Sequence, residues 1–518
     1  MAQTTRTLTD KAISGGTWMT GLQISRQLLQ ILSVSILARR VPPAAYGVMA
    51  MSVVVTNFLE TVRDLGTSEA LVREQEMSDE LASTAFWLNI GMGGTVALLI
   101  VVSSWPAALF FHEPQLATVL QILSLMVFLS AISVVPTALL VRGMAFRKLA
   151  LCQTGGAICG TTVAIAVALA GGKLWSLVSG NLMFSLATTA AVVFFSPFRV
   201  KAVFLRSAAR RMLSFGLYLS GSHVFNYFSR NSDNLLVGRF LGGIQLGYYQ
   251  MGYMLMTYPL QNMTVVVNQV AYPALARFSG DPGRTRAAYL RACALIGFIT
   301  FPLMLGLAVT AQPFIRVFLG ARWMPVAGLL VVFAPLGAAQ SLYATVGMIY
   351  QTQGRTDLQF RWMFFTSFAY VLSFVVGLHW GIMGVATCYA VAWFVLMVPS
   401  FWIPFRLIEL SGKSFVQALW PTLWMSLVMA VLSGFWLLGL KSLGVQNAAV
   451  ALVSTVSIGA AVYIGLVLWR KPTVMSDLAG ALGGASNPLL QKLAAFLNRA
   501  ISQGSGIPGA RVVGSTSD

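Results

Sequence analysis

HVFNYFSRNSDNLLVGR, residues 223–239, lies between long apolar segments where a membrane helix is expected, yet it carries His223, Asn226, Arg230 and Asp233 at spacings of three and four. That spacing defines one face of an α-helix. An ionised side chain near a bilayer centre costs roughly 2.5 to 3.5 kcal/mol on insertion scales, so Arg230 and Asp233 are expected to face protein or water. The stripe marks a polar site within the membrane.

Moving outward, the pattern recurs at a shift of 200 positions: His223, Asn226, Tyr227 and Arg230 fall on Gln23, Arg26, Gln27 and Gln30. The connections that follow also correspond. ILARRVPPAAYGVMAM (residues 36–51) aligns with LVGRFLGGIQLGYYQM (residues 236–251), with Arg39 over Arg239 and Gly47 over Gly247. The chain is expected to hold two copies of one unit, each opening with a polar helix.

With 518 residues, 57% of them apolar and only 9% charged, there is too little charge to cover a soluble globule. An integral membrane protein is expected, with no loop long enough to fold as a soluble catalytic domain. The formal net charge of +19 follows from topology, not from nucleic-acid binding. With a cytoplasmic N-terminus, the outer loops hold Arg39, Arg40, Lys173, Arg239, Arg316, Arg322 and Lys441, and most other basic residues fall inside. This places both termini in the cytoplasm. Cys152, Cys159, Cys293 and Cys388 show no metal-ligand or CxxC spacing and read as core residues, and residues 1–11 do not form a cleavable signal.

Fourteen spans are expected, at about 13–38, 44–66, 83–105, 115–141, 150–170 and 174–195, then 212–238, 247–275, 288–309, 325–350, 359–378 and 382–403, then 416–438 and 447–469. The fold class is all-α: two six-helix lobes related by a pseudo-twofold along the membrane normal, plus two further helices. The domains are an N-lobe (1–195), a basic cytoplasmic linker (196–211), a C-lobe (212–405), the extra pair (406–470) and a cytoplasmic tail (471–518). Within the tail, an amphipathic helix from Pro488 is followed by a disordered Gly- and Ser-rich end.

The second spans extend the theme. Asn57, Glu60, Thr61 and Asp64 form one stripe, and Gln261 and Asn268 form another. If the first two helices of each lobe line a central cavity, Gln23, Arg26, Gln27, Gln30, Asn226, Arg230, Gln261 and Asn268 are the candidate substrate-binding residues. Glu60, Arg63, Asp64 and Asp233 are candidates for gating or coupling. Each has a plainer reading: Arg230 and Asp233 can be an intrahelical ion pair, and Glu60, Arg63 and Asp64 a solvated helix end. Arg26 has no acid within one turn, so its partner must come from another helix or from an anionic ligand. Arg39, Arg40 and Arg239 read as outer-loop residues bonding helix ends, and His223 as a polar core residue. No phosphate-binding loop or zinc spacing occurs, and no cofactor or metal is expected.

Together, ILARRVPPAAYGVMAM, FLETVRDLGTSEALV (residues 58–72) and NYFSRNSDNLLVGRFLGGIQLGYYQMGYMLMTYP (residues 226–259) resemble Wzx-type polysaccharide flippases of the colanic acid and succinoglycan exporter branch. Their superfamily also holds multidrug extruders and the lipid II flippase. The resemblance covers about residues 10–470. It implies a transporter, not an enzyme, moving undecaprenyl-diphosphate-linked oligosaccharide across the bacterial inner membrane by alternating access. Arg26 and Arg230 match the family's cationic cavity positions. The implied partners are the lipid-linked oligosaccharide, membrane lipids and polysaccharide polymerase or export machinery. The alternative within the fold is a cation- or drug-exporting antiporter. Physically, a flippase needs cations for a diphosphate and hydrogen-bonding groups for sugars, and both stripes supply them.

Overall fold

The computed structural model describes residues 29–30, 32–63, 78–277, 281–472, 474–476 and 495. Within them every regular element is helical. The end of a first helix, α1 (32–40), leads into α2 (Pro43–Arg63), followed by α3 (Asp79–Phe111), α4 (Gln115–Arg142), α5 (Phe146–Leu169) and α6 (Leu174–Phe195). A non-helical linker reaches α7 (Arg206–Arg277), a long run broken at Gly242. The chain continues through α8 (Pro282–Val309), α9 (Ala311–Phe318), α10 (Met324–Tyr343), α11 (Val346–Thr352), α12 (Thr356–Gly377), α13 (Gly381–Leu407), α14 (Gly412–Ser442) and α15 (Ala448–Arg470).

Among the described residues, 10 helical stretches are long and apolar enough to cross a membrane, and Thr356–Leu407 among them contains both α12 and α13. Large apolar side chains face outward, with Leu109 75% exposed and Phe194 81% exposed. Water would not tolerate that surface; hydrocarbon does. The protein is an all-α, multi-pass membrane protein. Polar residues at the helix starts explain where the spans begin. Ser78 accepts the Leu81 N–H at α3, Asp281 accepts from Gly283 and Arg284 at α8, and Asn447 accepts from Ala449 and Val450 at α15. In the linker, Lys201 Nζ lies 2.8 Å from Asp79 Oδ2. That hydrogen bond raises the pKa of the Lys201 ammonium above its ordinary value.

The chain forms two compact units. The first comprises residues 1–251, 318–326 and 367–388. Within it α3 packs on α4, and α5 lies along α6. The second comprises residues 252–317, 327–366 and 389–518. Its core centres on Tyr289, Cys293, Phe301, Phe401 and Phe405, with the Tyr289 and Phe405 rings edge to face at 5.9 Å.

The expected spans at 212–238 and 247–275 fall on two helices that meet at a non-helical kink at Gly242. At φ 81° and ψ 174° this residue sits in backbone space open essentially to glycine alone. Gln23, Arg26, Gln27, Asp64 and the tail helix from Pro488 lie outside the described residues.

Candidate functional site

The polar face of α7 is built one helical turn at a time. Asn226 and Arg230 stand four residues apart, so their side chains are neighbours, and Arg230 Nε points to Asn226 Oδ1 at a long 3.4 Å. Arg230 is exposed, and among the described residues no carboxylate pairs with it. Roughly 18 Å of helix separates it from the Gly242 kink.

Asp233 has a different environment. It is buried, its Oδ1 accepts the Asn234 N–H at 2.7 Å and its Oδ2 accepts the Tyr249 hydroxyl at 3.1 Å. The two charges on this stripe therefore have separate partners and make no ion pair. One turn of helix carries an open guanidinium and a buried carboxylate.

The stripe abuts α2. Tyr227 donates to the Val54 carbonyl at 2.6 Å, and the Phe58 ring packs against Tyr227 and Phe228 at 5.9 and 5.0 Å. Further along α2, Arg63 Nη1 donates to the Val127 carbonyl at 3.0 Å and to Ser130 Oγ at 2.6 Å. Ser130 Oγ also lies 3.3 Å from Glu60 Oε1. Glu60 and Arg63, two of the four gating or coupling candidates, are thus held to α4. This tie fixes the end of α2 against the helix beside it.

Where α1 meets α2, the two stretches that align at a shift of 200 touch reciprocally. A methyl group built on Gly47 would collide with the Gly243 carbonyl, and one on Gly247 with the Pro43 carbonyl. These pairs exchange places under the shift of 200 that aligns the two stretches. Only hydrogen side chains permit such close backbone approach. Nearby, the buried Trp323 indole donates to the Ala38 carbonyl at 2.7 Å and meets Tyr46 and Tyr248 edge-on at 5.1 and 5.9 Å. Arg239, expected to bond a helix end, lies 2.7 Å from the His112 ring and 5.5 Å from the centre of the Phe110 ring. His112 is the residue that caps α3.

Gln30 faces a cavity of about 470 Å³ between α1, α5 and α6, shared with Ser33, Thr161 and Asn181. Gln261 and Asn268 lie on α7 beyond the kink, with their side chains outside the described ones. Among the described residues no cluster of His, Cys, Asp and Glu could hold a metal ion. Sequence periodicity missed Tyr249, Ser130, Trp323 and Asn181. Each stands alone on an apolar helix or loop, so no polar stripe announced it. The GYY run beside the kink was the only signal for Tyr249.

The family described as polysaccharide biosynthesis protein matches residues 36–328. The chain is 24% identical over 435 residues to the lipopolysaccharide biosynthesis protein WzxC of Escherichia coli (strain K12), covering 82% of this chain and 87% of that protein. It is 26% identical over 461 residues to the succinoglycan biosynthesis transport protein ExoT of Rhizobium meliloti (strain 1021), covering 87% and 91% respectively. Its fold is similar to that of the lipid II flippase MurJ in an inward closed conformation, with a TM-score of 0.67 at 18% identity over 88% of this chain and 99% of that one.

Proposed function

The chain belongs to the polysaccharide biosynthesis protein family, and on that footing we propose that it is a flippase for lipid-linked oligosaccharides. The substrate is an undecaprenyl-diphosphate-linked repeat unit, carried by alternating access from the cytoplasmic to the periplasmic leaflet of the bacterial inner membrane, with both termini of the carrier cytoplasmic. The relatives' names, which include a polysaccharide transport protein, support this reading.

The observation that carries it is the exposed Arg230 guanidinium, with only a long contact to Asn226, on the helix that the sequence reading takes to cross the membrane over 212–238. A cation there is costly unless water or an anion meets it. Guanidinium binds phosphate oxygens through paired charge-assisted hydrogen bonds, and the diphosphate is the only anion the lipid linker must bring. Arg26, at the matching place in the first copy, is assigned the same role. Asp233, buried between Tyr249 and its own backbone, is assigned to coupling, where it exchanges a proton as an ion gradient drives the cycle.

The test is reconstitution in liposomes with fluorescent undecaprenyl-diphosphate oligosaccharide, followed between leaflets. Removing one charge-assisted contact is worth about 1.5 to 3 kcal/mol, so Arg230→Ala is expected to weaken substrate affinity roughly 10- to 150-fold with the protein still folded. Wild-type transport that persists undiminished in Arg230→Ala and Arg26→Ala would refute the cation role. A rate unaffected by collapse of both proton and sodium gradients would refute the coupling role.

A further inference from the structure

Resting on the flippase reading, we propose that the cavity between α1, α5 and α6 is a glycan subsite, binding uncharged sugar rings of the substrate away from the diphosphate. None of the described residues lining it is charged. Its polar groups are the amides of Gln30 and Asn181 and the hydroxyls of Ser33 and Thr161. Among the described residues the Gln30 amide has no hydrogen-bond partner, and Asn181 gives only one N–H, to the Leu177 carbonyl at 2.8 Å. Its oxygen and second N–H remain available. Together these groups offer both donors and acceptors, which is what a hydroxyl-rich ligand uses.

Their depth excludes ordinary surface polarity. Asn181 lies roughly 10 Å along α6 from Leu174, inside the span, and it is exposed. An exposed amide at that depth would go unsatisfied in hydrocarbon, so the cavity must be wet or filled by a polar ligand. Gly160 and Gly180 face each other where α5 crosses α6, so the two helices pack closely beside the cavity. Phe184 lies over Gly160 and is 38% exposed, giving an apolar surface beside the amides. A pyranose has matching chemistry, with C–H groups on one face and hydroxyls around its edge. The volume of about 470 Å³ falls within the range of roughly 300 to 1,000 Å³ typical of small-ligand sites. Among the described lining residues neither a cationic drug nor a diphosphate finds a countercharge.

The experiment places a cysteine at the site. Cys152, Cys159, Cys293 and Cys388 are replaced, Asn181→Cys is introduced, and the protein in lipid nanodiscs is treated with a water-soluble charged maleimide. The thiol is expected to react, and neutral glucose- and galactose-based tetrasaccharides at millimolar concentration are expected to slow the reaction at least fivefold. Inorganic pyrophosphate and ethidium are expected to leave it unchanged. Adding Gln30→Leu should raise the tetrasaccharide concentration needed for protection about tenfold. A thiol that does not react faces lipid and overturns the proposal. So does protection by no tetrasaccharide, or equal protection by pyrophosphate or ethidium. Leaflet-to-leaflet transport is measured on the same preparation of the wild-type protein. Its absence would count against the flippase reading, whereas the labelling result bears on the subsite alone.

Discussion

Gly47→Ala tests whether the reciprocal glycine contact governs access to the junction of α1, α2 and α7. The added methyl would lie against the Gly243 carbonyl, a backbone atom that no side-chain rotation can move away. Overpacking a methylene typically costs about 1 to 3 kcal/mol, and with backbone on both sides the upper figure applies. About 3 kcal/mol is a 150-fold change in an equilibrium between packed and parted arrangements. Ala45, buried beside this contact, is the reporter. In a cysteine-free background, Ala45→Cys should react slowly with a water-soluble maleimide, and adding Gly47→Ala should accelerate labelling by one to two orders of magnitude. Gly247→Ala should act alike, because its methyl would strike the Pro43 carbonyl. Gly91→Ala, where nothing lies within 4 Å, is the control and should change nothing. Equal labelling in all four proteins would mean that the backbones yield to a methyl without parting, and the gate reasoning would be refuted.

Three other substitutions probe separate links. Asp233→Asn keeps one acceptor, for the Asn234 N–H, and its amide N–H can donate to the Tyr249 hydroxyl oxygen instead of accepting from it, so the protein should fold; transport should lose its dependence on an imposed gradient, and retained dependence would exclude Asp233 from coupling. Trp323→Phe leaves the Ala38 carbonyl without its donor in a buried place, at a cost of about 1 to 3 kcal/mol, which should lower the thermal unfolding midpoint in detergent. An unchanged midpoint would mean that water replaces the indole. Gly242→Ala forces a side chain into the strained kink at φ 81° and should cost about 1 to 3 kcal/mol in the same melting assay; a neutral result would show that the kink relaxes.

Much of this protein was determined by the sequence alone, because membrane insertion and helix periodicity are local properties. A run of apolar residues long enough to cross hydrocarbon leaves the backbone no alternative to helix. That logic located α2 through α6, α8 and α12 through α15 within a few residues, whereas it took α10 and α11 as one span and the residues of α9, with Arg316, as an outer loop. It also singled out Arg230 and Asp233 as costly residues needing an explanation. Only the tertiary structure decided what each of them does. Spacing allowed an ion pair between them, and folding instead gave the carboxylate to Tyr249, 16 residues further on, leaving the guanidinium open. The same holds for Trp323, whose partner Ala38 is 285 positions away, and for Asn181, which meets Gln30 across a cavity no helical wheel contains. A side chain's period records which face it shares, whereas its partner depends on which distant helix that face meets.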